Sequence, residues 1–273
     1  MFYITKSYTG MKKISPDIIT ALILTYNEED NIERVLNRLQ WLERIIIVDS
    51  HSTDHTLEIA ANYPNVKVYS RTFDTHATQW NYGLSLTNSK WILSLDADYI
   101  LTDDFVNEIQ KNLSEDKSAF FTKFKFLVFG KKLLSDNTTP RPVLFKRQDC
   151  IYYDDGHTQR LKINGSAGFF KNHILHDDRK SLSRWLNNQD KYSIKECDKL
   201  LNFNNGGTGS VINKIRKTKI FAPVFVFFYC LFFKGLILNG WPGWYYTLQR
   251  TMVEILFALR MIENENLNKK LLN

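Results

Sequence analysis

The sequence predicts an α/β fold: a half-Rossmann, mostly parallel sheet with flanking helices, followed by an aromatic-rich helical segment toward the C-terminus. Three observations predict it. From Ile18 a short apolar run, a few turn residues and a helix-like stretch recur in that order, which is how strands alternating with crossover helices read. Beyond about residue 113 the alternation gives way to apolar runs separated by polar turns. Later in the chain, Phe, Trp and Tyr crowd into one stretch.

Taken in order, strands are expected at 19–24, 44–48, 66–70 and 91–95, where β-branched and other apolar residues run together. Helices are expected at 31–39, 54–61 and 78–86, with apolar residues three and four apart. Ser52, Thr53 and Asp54 supply N-cap chemistry for the second of these. A helix also fits 103–113, strands fit 119–130 and 143–153, and polar turns fit 135–140 and 154–156. Helical spacing returns at 181–201, and the Gly- and Asn-rich stretch 202–209 marks a boundary. The 273 residues therefore divide into an extension (1–17), a strand–helix repeat (18–110), a second part of the same domain (111–209) and a helical tail (210–273).

In the tail, the run 220–233 is apolar and aromatic, broken only by Pro223, and Trp241, Trp244, Tyr245 and Tyr246 follow. It is shorter than the roughly 20 residues a spanning helix needs. Lys214, Arg216, Lys217 and Lys219 precede it, and bases beside an apolar stretch edged by Trp and Tyr suit a membrane interface. An interfacial or re-entrant anchor is expected. The alternatives are a helical hairpin packed on the rest of the chain, or a spanning helix with Lys234 reaching for the headgroups.

Charge is unevenly placed. Residues 1–110 hold 9 Lys/Arg against 15 Asp/Glu, and residues 111–273 hold 27 against 14, so the parts carry −6 and +13. A basic half attracts polyanions of any kind, and charge alone does not choose among them. Nucleic acid is the poorest fit, because it would need bases and aromatics interleaved on the sheet face, and the readable sheet lies in the acidic half. Cys150, Cys197 and Cys230 are odd in number and far apart, which fits a reducing compartment. Residues 1–13 lack a signal-peptide apolar core, so a cytoplasmic location is expected.

Chemistry concentrates at strand ends. Asp96 and Asp98 flank Ala97 directly after the strand at 91–95, and two carboxylates there can share a hard cation, Mg2+ or Mn2+, that also grips a diphosphate. Thr25-Tyr26-Asn27-Glu28 follows the first strand and Asp49-Ser50-His51-Ser52-Thr53-Asp54 the second, so three polar clusters fall on one rim. The first turn contains no glycine, which excludes the Gly-rich phosphate loop of a nucleotidyltransferase.

With these motifs in this order, residues 18–110 resemble the family 2 glycosyltransferases of GT-A fold. The resemblance implies an inverting, divalent-metal-dependent transferase using a nucleoside-diphosphate sugar. It places Tyr26 against the nucleobase, Thr25 and Glu28 around the pocket, Asp49 on the nucleoside, Asp96 near the ribose or metal, and Asp98 on the metal. Many relatives carry a second Asp where this chain has Ser50, so a UDP-sugar is only slightly favoured. The 75–81 segment resembles the one that closes over the donor, which makes Gln79 and Asn81 donor-binding candidates.

Asp154-Asp155-Gly156-His157 stands where relatives keep the acceptor base; Asp155 is the first choice and His157 its rival, while a plain hydrophilic turn is the bland alternative. His176 resembles a His found near the donor diphosphate in the bacterial branch that builds lipopolysaccharide core and related surface glycans, and it joins the metal candidates. Gly240-Trp241-Pro242-Gly243 resembles the tail of that branch. The resemblance implies a glycan or lipid-linked acceptor and a site on the cytoplasmic face of the inner membrane, peripheral or monotopic. Transfer to a polyprenyl phosphate and a non-catalytic membrane scaffold are the competing readings.

Overall fold

Strands buried on both faces have no polar side to alternate with, which is why the runs at 19–24, 45–48 and 91–95 are almost continuously apolar, whereas the edge run at 66–70 alternates. The computed structural model, which describes residues 18–135, 139–155, 158–202 and 211–271, covers both faces. β1 (Ile19–Thr25), β2 (Ile45–Asp49), β3 (Val66–Ser70) and β4 (Trp91–Asp96) pair in parallel in the order β3-β2-β1-β4. Ile19, Ala21 and Ile23 pack with α1 (Ile32–Leu36), Ala60 of α2 (Thr56–Ala61) and Phe105 and Ile109 of α4 (Asp103–Asn112). Leu22, Ile46 and Val48 point the other way, onto Ala77, Trp80 and Leu84 of α3 (His76–Ser85), as the two-residue period of a strand requires.

The sheet does not stop at β4. β9 (Arg141–Lys146) adds antiparallel to β4, then β6 (Ala119–Thr122) and β12 (Ala167–Phe169), so both parts of the domain share one seven-stranded sheet. A smaller sheet has the order β5-β13-β7-β8, from β5 (Tyr99–Ile100), β7 (Phe124–Val128), β8 (Lys131–Lys132) and β13 (Ile174–His176). β10 (Cys150–Asp155) and β11 (Thr158–Ile163) form an antiparallel pair whose Cys150 and Tyr152 lie among the α3 residues.

Two expected strands each divide. The span 119–130 becomes β6 and β7 in different sheets, and at the crossing the Thr122 hydroxyl donates to the Asn172 carbonyl at 2.8 Å. The span 143–153 becomes β9 and β10 around a 3-10 turn, Arg147–Asp149. Residues 1–17, the centre of the 135–140 turn, Gly156 and the 202–209 boundary beyond Asn202 lie outside the described residues.

The tail is helical. α5 (Leu182–Asn202), α6 (Val211–Lys217) and α7 (Phe221–Phe228) lead into a π-helical turn (Tyr229–Phe233), a 3-10 turn (Leu236–Asn239) and α8 (Trp241–Leu271). Pro223 sits in the first turn of α7, where its missing N–H costs no helical bond. At Gly243 a Cβ would lie 1.8 Å from the Leu236 carbonyl oxygen, so only glycine lets α8 start against the preceding turn. Among the described residues no helix is long and apolar enough to cross a membrane. Cys230 and Leu236 instead pack on Val128 and Leu133 beside the β7–β8 hairpin.

Candidate active site

Parallel strands bring their C-terminal ends to one rim. The register pairs Thr25 with Asp49 and Leu24 with Asp96, so the three polar clusters stand side by side where open α/β sheets take ligands. Asp49 is fully buried. Its carboxylate accepts the Thr25 hydroxyl at 2.7 Å, the Ser52 N–H at 2.8 Å and the Ser52 hydroxyl at 2.5 Å, the donors that a buried acceptor requires. Both loops pass through the left-handed region, at Asn27 (φ 56°) and His51 (φ 61°), a conformation that short polar side chains tolerate best.

The two loops then lock together. The Asn27 N–H donates to Ser52 Oγ at 2.8 Å, the Thr53 N–H to Asn27 Oδ1 at 2.7 Å, and the Glu28 N–H to Thr56 Oγ1 at 2.7 Å. Asp54 serves the start of α2 as its type predicts, accepting the Thr56 N–H at 3.0 Å. Thr25 and Asp49 are thus committed to the shape of the rim, while Tyr26 is left with 55% of its surface in solvent.

The short strands of the second sheet bring a distant segment onto this rim. β13 lies between β5 and β7, with His176 opposite both Tyr99 and Phe126, and the Asp177 N–H donates to the Asp98 carbonyl at 3.2 Å. His176 Nε2 is thereby 3.1 Å from Asp98 Oδ2. Lys180 Nζ lies 3.9 Å from the same oxygen, 3.2 Å from Glu28 Oε1 and 3.2 Å from Asp178 Oδ1. Arg184 of α5 donates to the carbonyls of Tyr26 and Asn27 and stands 3.5 Å from Glu28 Oε1.

Charge in this cluster is set by mutual contact rather than by solvent. Burial works against the charge of Asp98, yet the adjacent His176 and Lys180 outweigh it and hold the carboxyl well below the usual carboxylate range. Burial likewise opposes a charged His176 and a charged Lys180, and Asp98 reverses both, keeping the two pKa values above their ordinary positions. Glu28 goes the other way: burial raises its carboxyl despite Lys180.

One atom of the cluster is spare. Asp98 Oδ1 is buried and has no hydrogen-bond partner, a costly arrangement unless something else meets it. Asp98 and His176 together offer oxygen and nitrogen donors, with Asp96 half-exposed at the end of β4. No group of three or more His, Cys, Asp or Glu forms a ready cage among the described residues. A magnesium-type ion does not require one, because it takes one or two carboxylates and completes its shell with substrate phosphates and water.

The remaining candidates are distributed differently. Gln79 is fully buried and bridges two loops, donating to Ser50 Oγ at 3.1 Å and accepting from Arg71 at 2.5 Å. Asn81 is spent on β10, donating to the Tyr152 carbonyl at 2.8 Å and accepting its N–H at 3.0 Å, which corrects the expectation of a donor contact there. At the end of β10 the strand's alternation of burial breaks down: Asp154 is exposed, while Asp155 is half-buried and pairs with Arg160 at 2.6 Å. Tyr152 donates to Ser94 of β4 at 2.9 Å, and Asp154 Oδ1 accepts the Ala77 N–H of α3 at 3.3 Å. His157 lies outside the described residues.

Sequence reasoning did not find Lys180, Arg184 or the role of Asp177. Asp177 is almost fully buried and accepts Arg34 at 2.7 Å, Gly130 N–H at 3.0 Å and Arg179 at 3.1 Å. The available signal was the run of charges from Asp177 to Lys180 directly after His176.

Known proteins share this sequence pattern and fold. An uncharacterized glycosyltransferase of Rickettsia bellii is 28% identical over 136 residues, covering 50% of this chain and 45% of its own length. One from Rickettsia felis is 36% identical over 93 residues, 34% of this chain and 32% of its own. The chain thus matches less than half the length of these curated relatives. Among solved structures, a Pyrobaculum calidifontis mannosyltransferase in complex with GDP-Man and Mn2+ superposes with a TM-score of 0.51 at 14% identity, covering 94% of this chain and 91% of that one, which supports the GT-A fold. The model of glycosyl transferase family 2 matches residues 20–176, from the second residue of β1 to the histidine that meets Asp98, and the chain belongs to that family.

Proposed function

We propose that this chain transfers a glycosyl unit from a nucleoside-diphosphate sugar to a hydroxyl of a glycan or lipid-linked acceptor, with inversion, in the building of a cell-surface polysaccharide or lipopolysaccharide. The observation that carries the reading is the unpartnered, buried Oδ1 of Asp98 beside His176 and Lys180, at a rim whose other end presents the exposed ring of Tyr26. A nucleobase stacks on Tyr26, and the diphosphate lies over Asp98, His176 and Lys180. Mg2+ or Mn2+ held by Asp98, with Asp96 beside it and with His176 as a further ligand once it gives up its proton, would offset the charge that develops on the leaving diphosphate. Lys180 adds a fixed positive charge to the same place, already oriented by Glu28 and Asp178, so little reorganisation is needed as the bond breaks.

An inverting displacement needs a base on the face opposite the leaving group. Asp155 at the end of β10 is the carboxylate we assign to that role, half-buried and paired with the exposed Arg160, whereas Asp154 is exposed and accepts the Ala77 N–H; His157 is the rival. The solved mannosyltransferase with GDP-Man and Mn2+ supports the donor class. Ser50 in place of a base-reading carboxylate leaves a UDP-sugar only slightly favoured over a GDP-sugar.

The test is a donor panel. Purified protein with Mg2+ or Mn2+ is expected to release nucleoside diphosphate from one UDP- or GDP-sugar, and Asp98→Ala is expected to lower that rate by about 10²-fold or more. Asp155→Asn should keep donor binding and lose transfer. A panel without turnover, or full turnover by Asp98→Ala in chelator, contradicts the reading.

A further inference from the structure

The groups that the transfer reaction does not use collect on one surface. Residues 211–253 contain no Asp or Glu, while Lys214, Arg216, Lys217, Lys219, Lys234 and Arg250 all lie there. Along α7 and the π-helical turn, Phe221, Val224, Phe225, Phe228 and Phe232 are exposed at spacings of three and four residues, which draws one apolar stripe down the helix. The stripe continues through Phe233 (79% exposed) and Leu238 (78%) to Trp241.

This exposure is built in, not a frayed end. The inner side of the same turn holds Cys230, Leu231 and Leu236, each about 1% exposed, and Cys230 and Leu236 pack toward Val128 and Leu133. Asn239 fastens it to the β7–β8 hairpin, accepting the Leu134 N–H at 2.9 Å and donating to the Lys132 carbonyl at 3.1 Å. A fixed, contiguous apolar face of this kind marks an interaction surface, whereas scattered apolar residues do not.

We infer that this face docks the protein onto an anionic lipid bilayer, with the helical hairpin lying in the interface rather than crossing it. The charge pattern selects the occupant. Arg216 and Lys219 are already paired within the chain, with Glu254 and Glu265, but a second copy packed face to face would set the exposed Lys214 and Lys217 against the same basic patch, because an isologous contact presents one patch twice. A bilayer meets every group: phosphates take the lysines, the headgroup layer takes Trp241, Trp244 and Tyr245, and the acyl boundary takes the phenylalanines. The hairpin also reaches the reaction site through one side chain, since Phe126 packs on Tyr246 at 6.0 Å between ring centroids and on His176 at 4.4 Å. Docking therefore fixes the Asp98 rim close to the lipid surface, where a lipid-linked acceptor presents its hydroxyl. The docking stands on the surface alone and does not depend on the donor.

The experiment is flotation of the full chain with phosphatidylcholine vesicles, with and without phosphatidylglycerol, beside the variants Phe221→Ser/Phe233→Ser/Leu238→Ser and Lys214→Glu/Lys217→Glu. All five positions are exposed, so melting curves should stay close to the parent. The parent is expected to float with the anionic vesicles, and the apolar triple variant with neither kind. The charge-reversed pair should bind anionic vesicles about 25-fold more weakly or worse at low salt, from about fivefold per lysine, with no such loss on neutral ones. Release of nucleoside diphosphate from the soluble donor, measured on the same samples, keeps a failure of docking separate from a failure of the transferase reading. A parent that floats with neither vesicle, or variants that float like the parent, overturns the inference. So does a parent that ignores vesicles but elutes as a dimer that the triple variant turns into a monomer, which would assign the face to a second copy.

Discussion

The loops after β1 and β2 and the segment from His176 to Arg184 meet at the same rim, yet they are held by different forces. The loops are joined by hydroxyl and backbone hydrogen bonds around one buried carboxylate, Asp49. The later segment is joined by ions: Asp177 between Arg34 and Arg179, Lys180 between Glu28 and Asp98, and Arg184 over the Tyr26 and Asn27 carbonyls. Shape and charge therefore come from different parts of the chain. Each is open to a substitution that should leave the other in place.

The largest effect on stability is expected on the ionic side. Asp177→Ala leaves Arg34 and Arg179 without their shared carboxylate, and breaking a buried ion pair from one side costs about 3–5 kcal/mol; urea unfolding measures it. In the hydroxyl network, Asp49→Asn turns an acceptor into a donor facing donors, at about 1–3 kcal/mol by the same method. A larger loss from Asp49→Asn than from Asp177→Ala would reverse the comparison. Smallest in stability is Tyr26→Ala, within about 0.5 kcal/mol because the ring is exposed. Its effect belongs to the donor: loss of a stacking partner is worth about 1–3 kcal/mol, read as a raised KM for the nucleotide sugar with the melting curve unmoved.

The same contrast explains what the sequence could reveal. The four parallel strands were legible to within about a residue, 19–24 becoming Ile19–Thr25 and 91–95 becoming Trp91–Asp96: β1, β2 and β4 because strands buried on both faces are almost uniformly apolar with abrupt polar ends, and the edge strand β3 by its alternation. Thr25, Asp49, Asp96 and Asp98 followed from position at those ends. β5 and β13 have two and three residues, too few to show a period, so the pairing that carries His176 to Asp98 had no local signature. Lys180 and Arg184 depend on that pairing and were missed with it. Asn81 was placed by neighbourhood in sequence, and the α3–β10 contact decided its partners instead. In the tail, composition located the apolar segment, but its inner and outer sides became distinguishable only once Cys230 and Leu236 were seen against the β7–β8 hairpin.

The central claim is that a donor diphosphate is held at Asp98, between His176 and Lys180. Calorimetric titration of UDP and GDP, with Mn2+ and with chelator, on the parent protein and Asp98→Ala tests it most directly. One nucleotide should bind with Mn2+ and lose at least about tenfold in affinity on chelation, from the several kcal/mol a metal contributes at such a charge, and Asp98→Ala should bind alike with and without metal. Equal binding by the parent in Mn2+ and chelator, or an Asp98→Ala protein that keeps the parent's metal response, would contradict it.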